Sequence, residues 1–244
     1  MPKTSRTLIE LDVGSGELVP AILQLPSPRP RGVPAVLLLH GFSSRKERVA
    51  DSIGSALLDR GVGSLAMDLP LHGAREGGVE GMSLRNPLAL VQKWRLALRE
   101  ANHAIHYLVE RDDIDACRVG IAGYSLGAYL SLAVASKNKF VRAVALAAGG
   151  DLPEQTPFAS IVRTIADPQR AVRAIAGRPL FMINGRYDRT IRPSQARSLF
   201  DAATEPKELH WYNGGHWPPA TAIDQTAAWL AEQLREPRAM ARRA

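Results

Sequence analysis

The feature that most constrains the fold of this chain is a repeated alternation of short apolar runs with longer helical patterns. The runs are rich in Val, Ile and Leu and lie at 34–39, 63–67, 117–122, 140–147, 179–184 and 207–212. Helical patterns separate or follow them at 45–60, 87–111, 126–136, 193–202 and 218–234. Residues 7–13 and 18–25 add a leading hairpin, joined at Gly14-Ser15-Gly16. This alternation predicts an α/β fold with a doubly wound, mainly parallel sheet of about eight strands.

The composition is that of an ordinary globular protein. Of the 244 residues, 45% are hydrophobic and 23% are charged, which is typical of soluble domains and unlike disordered chains. No segment approaches the roughly 18 apolar residues that a membrane span needs, and the start lacks the apolar stretch of a signal peptide. The single cysteine, Cys117, excludes an internal disulfide. We therefore expect one soluble, cytoplasmic domain over residues 1–244.

The formal net charge of +7 is an excess of the kind that can attract nucleic acid. Its distribution argues against that partner. Residues 235–244 hold four arginines against one glutamate, so three of the seven charges lie in a segment that we expect to be a frayed tail. The other charges are scattered, and no RNA-binding signature or zinc-finger spacing appears. We expect no nucleic-acid partner, and the sequence leaves a homodimer open.

The segment Gly123-Tyr124-Ser125-Leu126-Gly127 joins a predicted strand to a predicted helix. The pattern alone is weak, because a Gly-x-Ser-x-Gly match arises by chance in roughly one chain in ten. In a nucleophile elbow the serine occupies a strained position on a sharp turn, and the flanking glycines let strand and helix approach. The context agrees with that geometry, so Ser125 is the predicted nucleophile. The alternative is a helix-capping serine in an ordinary glycine turn.

A serine hydroxyl needs a base within hydrogen-bond reach and a third group that fixes the tautomer of the base. His216 lies in a glycine-rich loop after the last predicted strand, and Asp188 follows the strand before it. The carboxyl ends of parallel strands are where sites of α/β proteins are assembled, and nucleophile-elbow enzymes carry these groups in the order Ser, Asp, His. The sequence predicts a Ser125, Asp188 and His216 triad, with Asp151 as a rival acid.

The tetrahedral intermediate of acyl transfer also needs two backbone donors aimed at its oxygen. The predicted donors are the amides of Leu126 and of Phe42, the latter in the loop after strand 34–39. Further residues predicted to line a substrate pocket are His40, Asp68, His72, Tyr124 and Trp217. For His40 the favoured alternative is a structural role, in which its side chain anchors the loop beneath the site.

Residues 118–133 read Arg-Val-Gly-Ile-Ala-Gly-Tyr-Ser-Leu-Gly-Ala-Tyr-Leu-Ser-Leu-Ala. This segment resembles the elbow of the α/β-hydrolase superfamily, and the resemblance extends over about residues 18–234. It implies the α/β-hydrolase fold, with a small lid at about 149–177 and the glycine-rich loop 73–83 as a second candidate lid segment.

Three further segments are similar to the dienelactone-hydrolase-like and prolyl-oligopeptidase-like esterases: the loop 68–73, the Ile114-Asp115 lead into the motif strand, and the short region after Gly149. Dienelactone hydrolases proper carry cysteine where this sequence has Ser125, so the resemblance does not extend to their substrate. Oligopeptidases of that branch carry an additional large domain that this sequence does not contain.

The resemblance implies a carboxylesterase-like serine hydrolase that cleaves small-molecule esters of small or medium acyl groups through an acyl-enzyme. That chemistry needs neither a metal nor an organic cofactor. Two alternatives remain open, because fold and triad set the chemistry whereas pocket shape sets the substrate. One is a non-catalytic ligand-binding protein with a vestigial triad. The other is an amide or thioester hydrolase, or an acyltransferase, that uses the same triad.

Overall fold

The computed structural model describes residues 5–14, 16–27, 32–78, 87–153, 163 and 165–235. Eight strands form one sheet: β1 (Ser5–Asp12), β2 (Leu18–Leu25), β3 (Val33–Leu39), β4 (Gly63–Met67), β5 (Ile114–Tyr124), β6 (Val141–Ala147), β7 (Leu180–Gly185) and β8 (Lys207–Tyr212). Their order across the sheet is β1-β2-β4-β3-β5-β6-β7-β8. The β1–β2 and β2–β4 pairs are antiparallel, and all other neighbours are parallel. The prediction of a mainly parallel, eight-stranded sheet is confirmed.

Helices follow most of the parallel strands. They are α1 (Lys46–Val49), a π-helical turn (Ala50–Gly54), α2 (Ser55–Leu58), α3 (Pro87–Val109), α4 (Leu126–Lys137), α5 (Pro168–Ala174), α6 (Pro193–Ala202) and α7 (Ala220–Gln233). The single helix predicted at 45–60 is therefore interrupted by a π-helical turn. In the described part of the chain, no helix combines the length and the apolar character that spanning a membrane requires.

Apolar side chains are buried on both faces of the sheet, which makes the fold doubly wound. In β3 every residue except Pro34 is buried, as expected of a parallel strand covered on both sides. Leu37 and Leu39 belong to the cluster under α3 to α6, whereas Val36 and Leu38 belong to the cluster under α1, α2 and α7. This two-residue alternation follows from the pleat of the strand.

Parts of three predicted features lie outside the described residues. The predicted lid at 149–177 contains α5, but positions 154–162 and 164 of it are not among them. The same holds for positions 79–83 of the glycine-rich loop 73–83 and for positions 236–244 of the predicted tail. The structure does describe the edge where the carboxyl ends of β3, β5, β7 and β8 meet. The predicted triad residues follow β5, β7 and β8 at this edge.

Candidate active site

Ser125 lies on a strained turn between β5 and α4. Its backbone has φ 52° and ψ −113°, a conformation that residues with a side chain rarely adopt. The amide of Ser125 donates a 3.0 Å hydrogen bond to the carbonyl of Ala147. A Cβ atom at Gly123 would lie 2.1 Å from the carbonyl oxygen of Gly127, and one at Gly127 would lie 2.1 Å from that of Leu39. Both glycines therefore permit the close approach of strand and helix that holds the serine in place.

A line of two hydrogen bonds joins the three predicted triad residues. Nε2 of His216 is 2.9 Å from Oγ of Ser125, and Nδ1 of His216 is 2.8 Å from Oδ2 of Asp188. A carboxylate only accepts hydrogen bonds, so Nδ1 carries the proton and the lone pair of Nε2 faces the serine hydroxyl. This is the tautomer that a general base for the serine needs.

The carboxylate of Asp188 is held independently of the histidine. Its side chain is fully buried, and its second oxygen, Oδ1, accepts hydrogen bonds from the amides of Thr190 (2.8 Å) and Ile191 (3.0 Å). Two backbone donors in the loop after β7 therefore set the orientation of the carboxylate. Because a buried carboxylate with fixed partners has little freedom to turn, it in turn fixes the imidazole ring.

The loop that carries His216 is held by two residues that sequence reasoning missed. A Cβ atom at Gly185 would lie 2.1 Å from the carbonyl oxygen of Gly215 and 2.6 Å from that of Gly214. The hydroxyl of Tyr212 donates to the carbonyls of Gly215 (3.0 Å) and His216 (3.2 Å), and burial raises the pKa of this hydroxyl to about 12. A glycine at the end of a strand is a weak signal of such close packing, and no pattern in the sequence marks the tyrosine.

Asp151, the rival acid, lies in a different cluster. Its Oδ2 accepts hydrogen bonds from Nε2 of Gln169 (2.7 Å) and Oγ of Ser198 (3.2 Å). Its Oδ1 lies 3.3 Å from a guanidinium nitrogen of Arg163. These partners belong to α5, α6 and the segment before α5. The structure therefore brings the other candidate acid, and not this one, to the imidazole of His216.

The two predicted oxyanion donors both lie beside the serine. Leu126 is the first residue of α4, so its N–H has no partner within the helix. A Cβ atom at Gly41 would lie 3.4 Å from Cβ of Ser125 and 2.7 Å from the ring of Tyr124, so the loop that contains Phe42 passes next to the elbow. Among the described residues, the backbone hydrogen bonds found in loops and at helix ends include none donated by either amide. Neither N–H is therefore committed to such a bond, and the role of the two amides as oxyanion donors stays a prediction.

His40 lies beneath this loop and holds it. Its side chain is fully buried, its Nδ1 donates to the carbonyl of Gly41 (2.8 Å), and its Nε2 accepts from the amide of Leu69 (3.1 Å). Burial lowers the pKa of His40 to about 4, so the ring is neutral. With both nitrogens bound to backbone and no exposed surface, His40 anchors its loop, and its predicted place in a substrate pocket is corrected.

Asp68 likewise holds loops in place from a buried position. Its predicted place in a substrate pocket is therefore also corrected. Its side chain is fully buried. Oδ1 accepts from the amide of Lys46 (2.8 Å), and Oδ2 accepts from Nζ of Lys46 (2.8 Å) and the amide of Ala74 (3.0 Å). Gly73 has φ +61°, and a Cβ atom there would lie 2.1 Å from Oδ1. These hydrogen bonds close the loop after β4 and tie it to the start of α1.

The other three predicted pocket residues do border open space near the triad. The ring of His72 packs edge-on against Phe42, with 5.5 Å between centroids. The ring of Tyr124 stacks on Trp217 at 5.1 Å. Trp217 is 55% exposed, and the guanidinium of Arg48, which sequence reasoning missed, lies 4.3 Å above its ring.

Two mainly apolar cavities open at this edge of the sheet, beside a larger and more polar one of about 760 Å³ whose lining includes Ser43, Arg48, His72 and Trp217. The first, here named the α3–α4 cavity, has a volume of about 260 Å³ and is lined by residues that include Leu69, His72, Leu90, Trp94, Leu126 and Leu130. The second, named the α7 cavity, has a volume of about 220 Å³ and is lined by residues that include Leu38, Arg48, Val49, Tyr124, Trp217 and Ile223. The two therefore lie on opposite faces of the sheet.

Within the described ranges, no group of three or more His, Cys, Asp or Glu side chains is arranged to hold a metal ion. Cys117 is a free, half-buried thiol near the start of β5, at the other end of that strand from Ser125. The groups that the structure gathers at the carboxyl edge are therefore a hydroxyl, an imidazole, a carboxylate and two backbone amides.

Comparison with known proteins gives consistent results. A model of the alpha/beta hydrolase family matches residues 36–232. The Bacillus subtilis (strain 168) protein named "Putative esterase YitV" is 23% identical over 241 residues, which cover 84% of this chain and 91% of that protein. The crystal structure of TT1662 from Thermus thermophilus aligns with a TM-score of 0.78 at 21% identity, covering 95% of this chain and 99% of the other. The structure of a cold-adapted esterase from an Arctic intertidal metagenomic library aligns with a TM-score of 0.74 at 21% identity. The alignment covers 95% of this chain and 94% of the esterase.

Proposed function

This chain belongs to the α/β-hydrolase family, and we propose that within it the protein is a carboxylesterase-like serine hydrolase acting on small-molecule esters. The observation that carries the proposal is the line of hydrogen bonds from Asp188 through His216 to Ser125, with lengths of 2.8 and 2.9 Å. The strained backbone of the serine adds support, because such strain persists at sites where it serves a function. We further propose that residues 1–244 act as one catalytic domain.

In the acylation step, Oγ of Ser125 attacks the ester carbonyl while Nε2 of His216 takes the hydroxyl proton. The buried carboxylate of Asp188 stabilises the imidazolium that forms. The carbonyl oxygen becomes an oxyanion and accepts hydrogen bonds from the amides of Leu126 and Phe42. The bond from the carbonyl carbon to the alcohol oxygen then breaks, and the imidazolium gives its proton to that oxygen. The alcohol leaves, and the acyl group stays on the serine.

Deacylation uses the same groups with water as the nucleophile. Nε2 of His216 takes a proton from water, and the resulting hydroxide adds to the carbonyl of the acyl-enzyme. The second tetrahedral intermediate expels Oγ of Ser125, which recovers its proton from the imidazolium. The carboxylic acid leaves and the enzyme returns to its starting state, so the cycle consumes only ester and water.

The test is replacement of Ser125 by alanine, with p-nitrophenyl acetate and p-nitrophenyl butyrate as substrates. We expect kcat to fall by at least about 10³-fold, because the step that the serine performs is lost. Ser131 provides a matched control, since it lies in the helix that the nucleophile begins and is fully buried; Ser131→Ala should keep kcat within about threefold. Unchanged turnover in Ser125→Ala, with the circular dichroism spectrum of the folded protein, would rule out the mechanism.

A fluorophosphonate probe separates this proposal from a non-catalytic ligand-binding protein. Labelling of the serine requires an activated hydroxyl, which the imidazole at 2.9 Å is placed to provide. We expect stoichiometric labelling that is absent from Ser125→Ala.

A second set of assays tests which reaction the triad serves, because the same triad can act on several acyl compounds. These assays use amide and thioester substrates, and alcohols as acyl acceptors in place of water.

A further inference from the structure

The α3–α4 cavity opens beside the proposed oxyanion hole. Leu126, whose amide is one proposed donor, is among the residues that line the cavity. His72, another lining residue, packs its ring against Phe42, which supplies the other donor. A carbonyl oxygen bound by both amides would therefore lie at the entrance to this cavity.

The α7 cavity opens beside the base instead. Tyr124 and Trp217 both line it, and their ring centroids lie 5.2 Å and 6.3 Å from that of His216. The residues that line it include neither Leu126 nor Phe42. The two cavities therefore flank the serine, one on the side of the oxyanion donors and one on the side of the imidazole.

The reaction itself assigns different parts of the ester to these two sides. The tetrahedral carbon carries Oγ of Ser125, the oxyanion, the alcohol oxygen and the acyl chain. The alcohol oxygen must lie within hydrogen-bond reach of Nε2 of His216, because the imidazolium protonates it. That requirement directs the alcohol towards the side of the α7 cavity. Of the two mainly apolar cavities, this leaves the α3–α4 cavity for the acyl chain.

The surface that the α3–α4 cavity presents is almost entirely carbon. Leu69, Leu90, Leu126 and Leu130 supply much of it. The ring nitrogens Nε2 of His72 and Nε1 of Trp94 are shielded, and neither has a hydrogen-bond partner among the residues that the structure describes. Among the described residues, the lining has one charged side chain, Lys93, and no acidic one. A cationic acyl group would therefore lose its hydration in this cavity without gaining a counter-ion, whereas an apolar chain gains free energy for each methylene that it buries.

We propose that the α3–α4 cavity is the acyl-binding site and that the substrates are esters of apolar acids of medium length, an inference that rests on the proposed function. Its volume of about 260 Å³ exceeds that of a cavity of about 150 Å³ that holds benzene. It therefore accommodates an acyl group of about six to ten carbon atoms.

The first experiment measures kcat/KM for p-nitrophenyl esters from acetate to dodecanoate. From acetate to about hexanoate, kcat/KM should rise about threefold for each added methylene, because each one is buried in the cavity. It should level off or fall beyond about ten carbon atoms. A 6-aminohexanoate ester, which carries a positive charge on the acyl side, should react at least about tenfold more slowly than the neutral hexanoate ester. A flat chain-length profile, or a preference for the charged ester, would overturn the proposal.

A matched pair of substitutions tells the two cavities apart. Val91→Phe fills the α3–α4 cavity, and Ile223→Phe fills the α7 cavity. The first should shorten the preferred acyl chain by about three or four carbon atoms and leave the ranking of acetate esters with different alcohols unchanged. Ile223→Phe should change the ranking of acetate esters with different alcohols and leave the preferred acyl chain length unchanged. Trp94→Ala, which enlarges the α3–α4 cavity, should lengthen the preferred chain and provides a second readout if Val91→Phe does not fold.

The outcomes separate this inference from the proposed function. If Ser125→Ala abolishes hydrolysis but Val91→Phe and Trp94→Ala leave the chain-length profile as it is, the cavity is not the acyl site and the esterase proposal stands. If Ile223→Phe shifts the acyl profile instead, the assignment of the two cavities is reversed and this inference is wrong. If Ser125→Ala hydrolyses all the esters at the rate of the unmodified protein, the proposed function itself fails.

Discussion

Replacement of Gly185 by alanine should displace the histidine loop although it changes none of the three triad residues. A Cβ atom at this position would lie 2.1 Å from the carbonyl oxygen of Gly215 and 2.6 Å from that of Gly214. Ordinary contacts between carbon and a carbonyl oxygen are about 3.3 Å or longer. The loop must therefore move by about 1 Å, and His216 is the next residue in the chain.

The expected cost follows from the geometry of the triad. The distance from Nε2 of His216 to Oγ of Ser125 is 2.9 Å, and a shift of about 1 Å takes the pair out of hydrogen-bond range. Misplacement of that size costs about 10²-fold in rate, which corresponds to about 2.7 kcal/mol of transition-state stabilisation. We therefore expect Gly185→Ala to lower kcat for p-nitrophenyl acetate about 100-fold and to change KM less than threefold. The rate of labelling by a fluorophosphonate should fall in parallel.

Gly215→Ala provides the control, because it adds the same methyl group to the same loop, directly beside His216. A Cβ atom there would meet only the carbonyl oxygen of Tyr187, at 4.0 Å. This variant should keep kcat within about threefold. Thermal unfolding of both variants checks that activity is compared between folded proteins. A folded Gly185→Ala with nearly full kcat, or equal losses in both variants, would refute the argument from close packing.

Three further predictions concern the residues around the triad. Asp188→Asn should lower kcat by about 10⁴-fold, because the amide favours the wrong histidine tautomer. Asp151→Asn should lower kcat less than tenfold, and steady-state kinetics of the two variants measure the difference. The pKa of His40 in the folded state is about 4, below the ordinary 6.5. Between these two values the unfolded state binds more protons than the folded state. The free energy of unfolding should therefore fall as the pH drops from 6.5 to 4, by up to about 3 kcal/mol. Urea unfolding should show a smaller fall in His40→Gln. Tyr212→Phe removes a hydroxyl that donates to two loop carbonyls, and urea unfolding should show a loss of about 1 kcal/mol, with kcat reduced less than tenfold.

The sheet could be predicted because its central strands are buried on both faces. The run at 63–67 matches β4 in full, and the run at 34–39 falls one residue short of β3. The strand predicted at 117–122 is too short, since β5 spans Ile114–Tyr124. Its first residues include Asp115 and Arg118, whose side chains pair with each other at 2.8 Å. Polar residues at the end of a strand interrupt the apolar pattern on which the prediction depends.

The candidate site was predictable to the extent that local sequence positions its residues. The elbow depends on five consecutive residues, and the loops after β7 and β8 reach the same edge because the strands are parallel. Asp151 and Asp188 give the same local signal, a carboxylate soon after a strand, and only the directions of their loops distinguish them. The buried partners of Asp68 could not be found in this way, because Lys46 lies 22 residues away along the chain.

In the proposed mechanism, the wide spacing of the triad along the chain determines when the protein can first act. Ser125 and the imidazole that faces it are 91 residues apart, and the loop with His216 follows β8, the last strand of the sheet in chain order. During translation the reactive serine thus emerges from the ribosome well before its partner, at a stage when nothing can take its proton. In that mechanism a nascent chain cannot hydrolyse esters, and activity begins only when β8 pairs with β7.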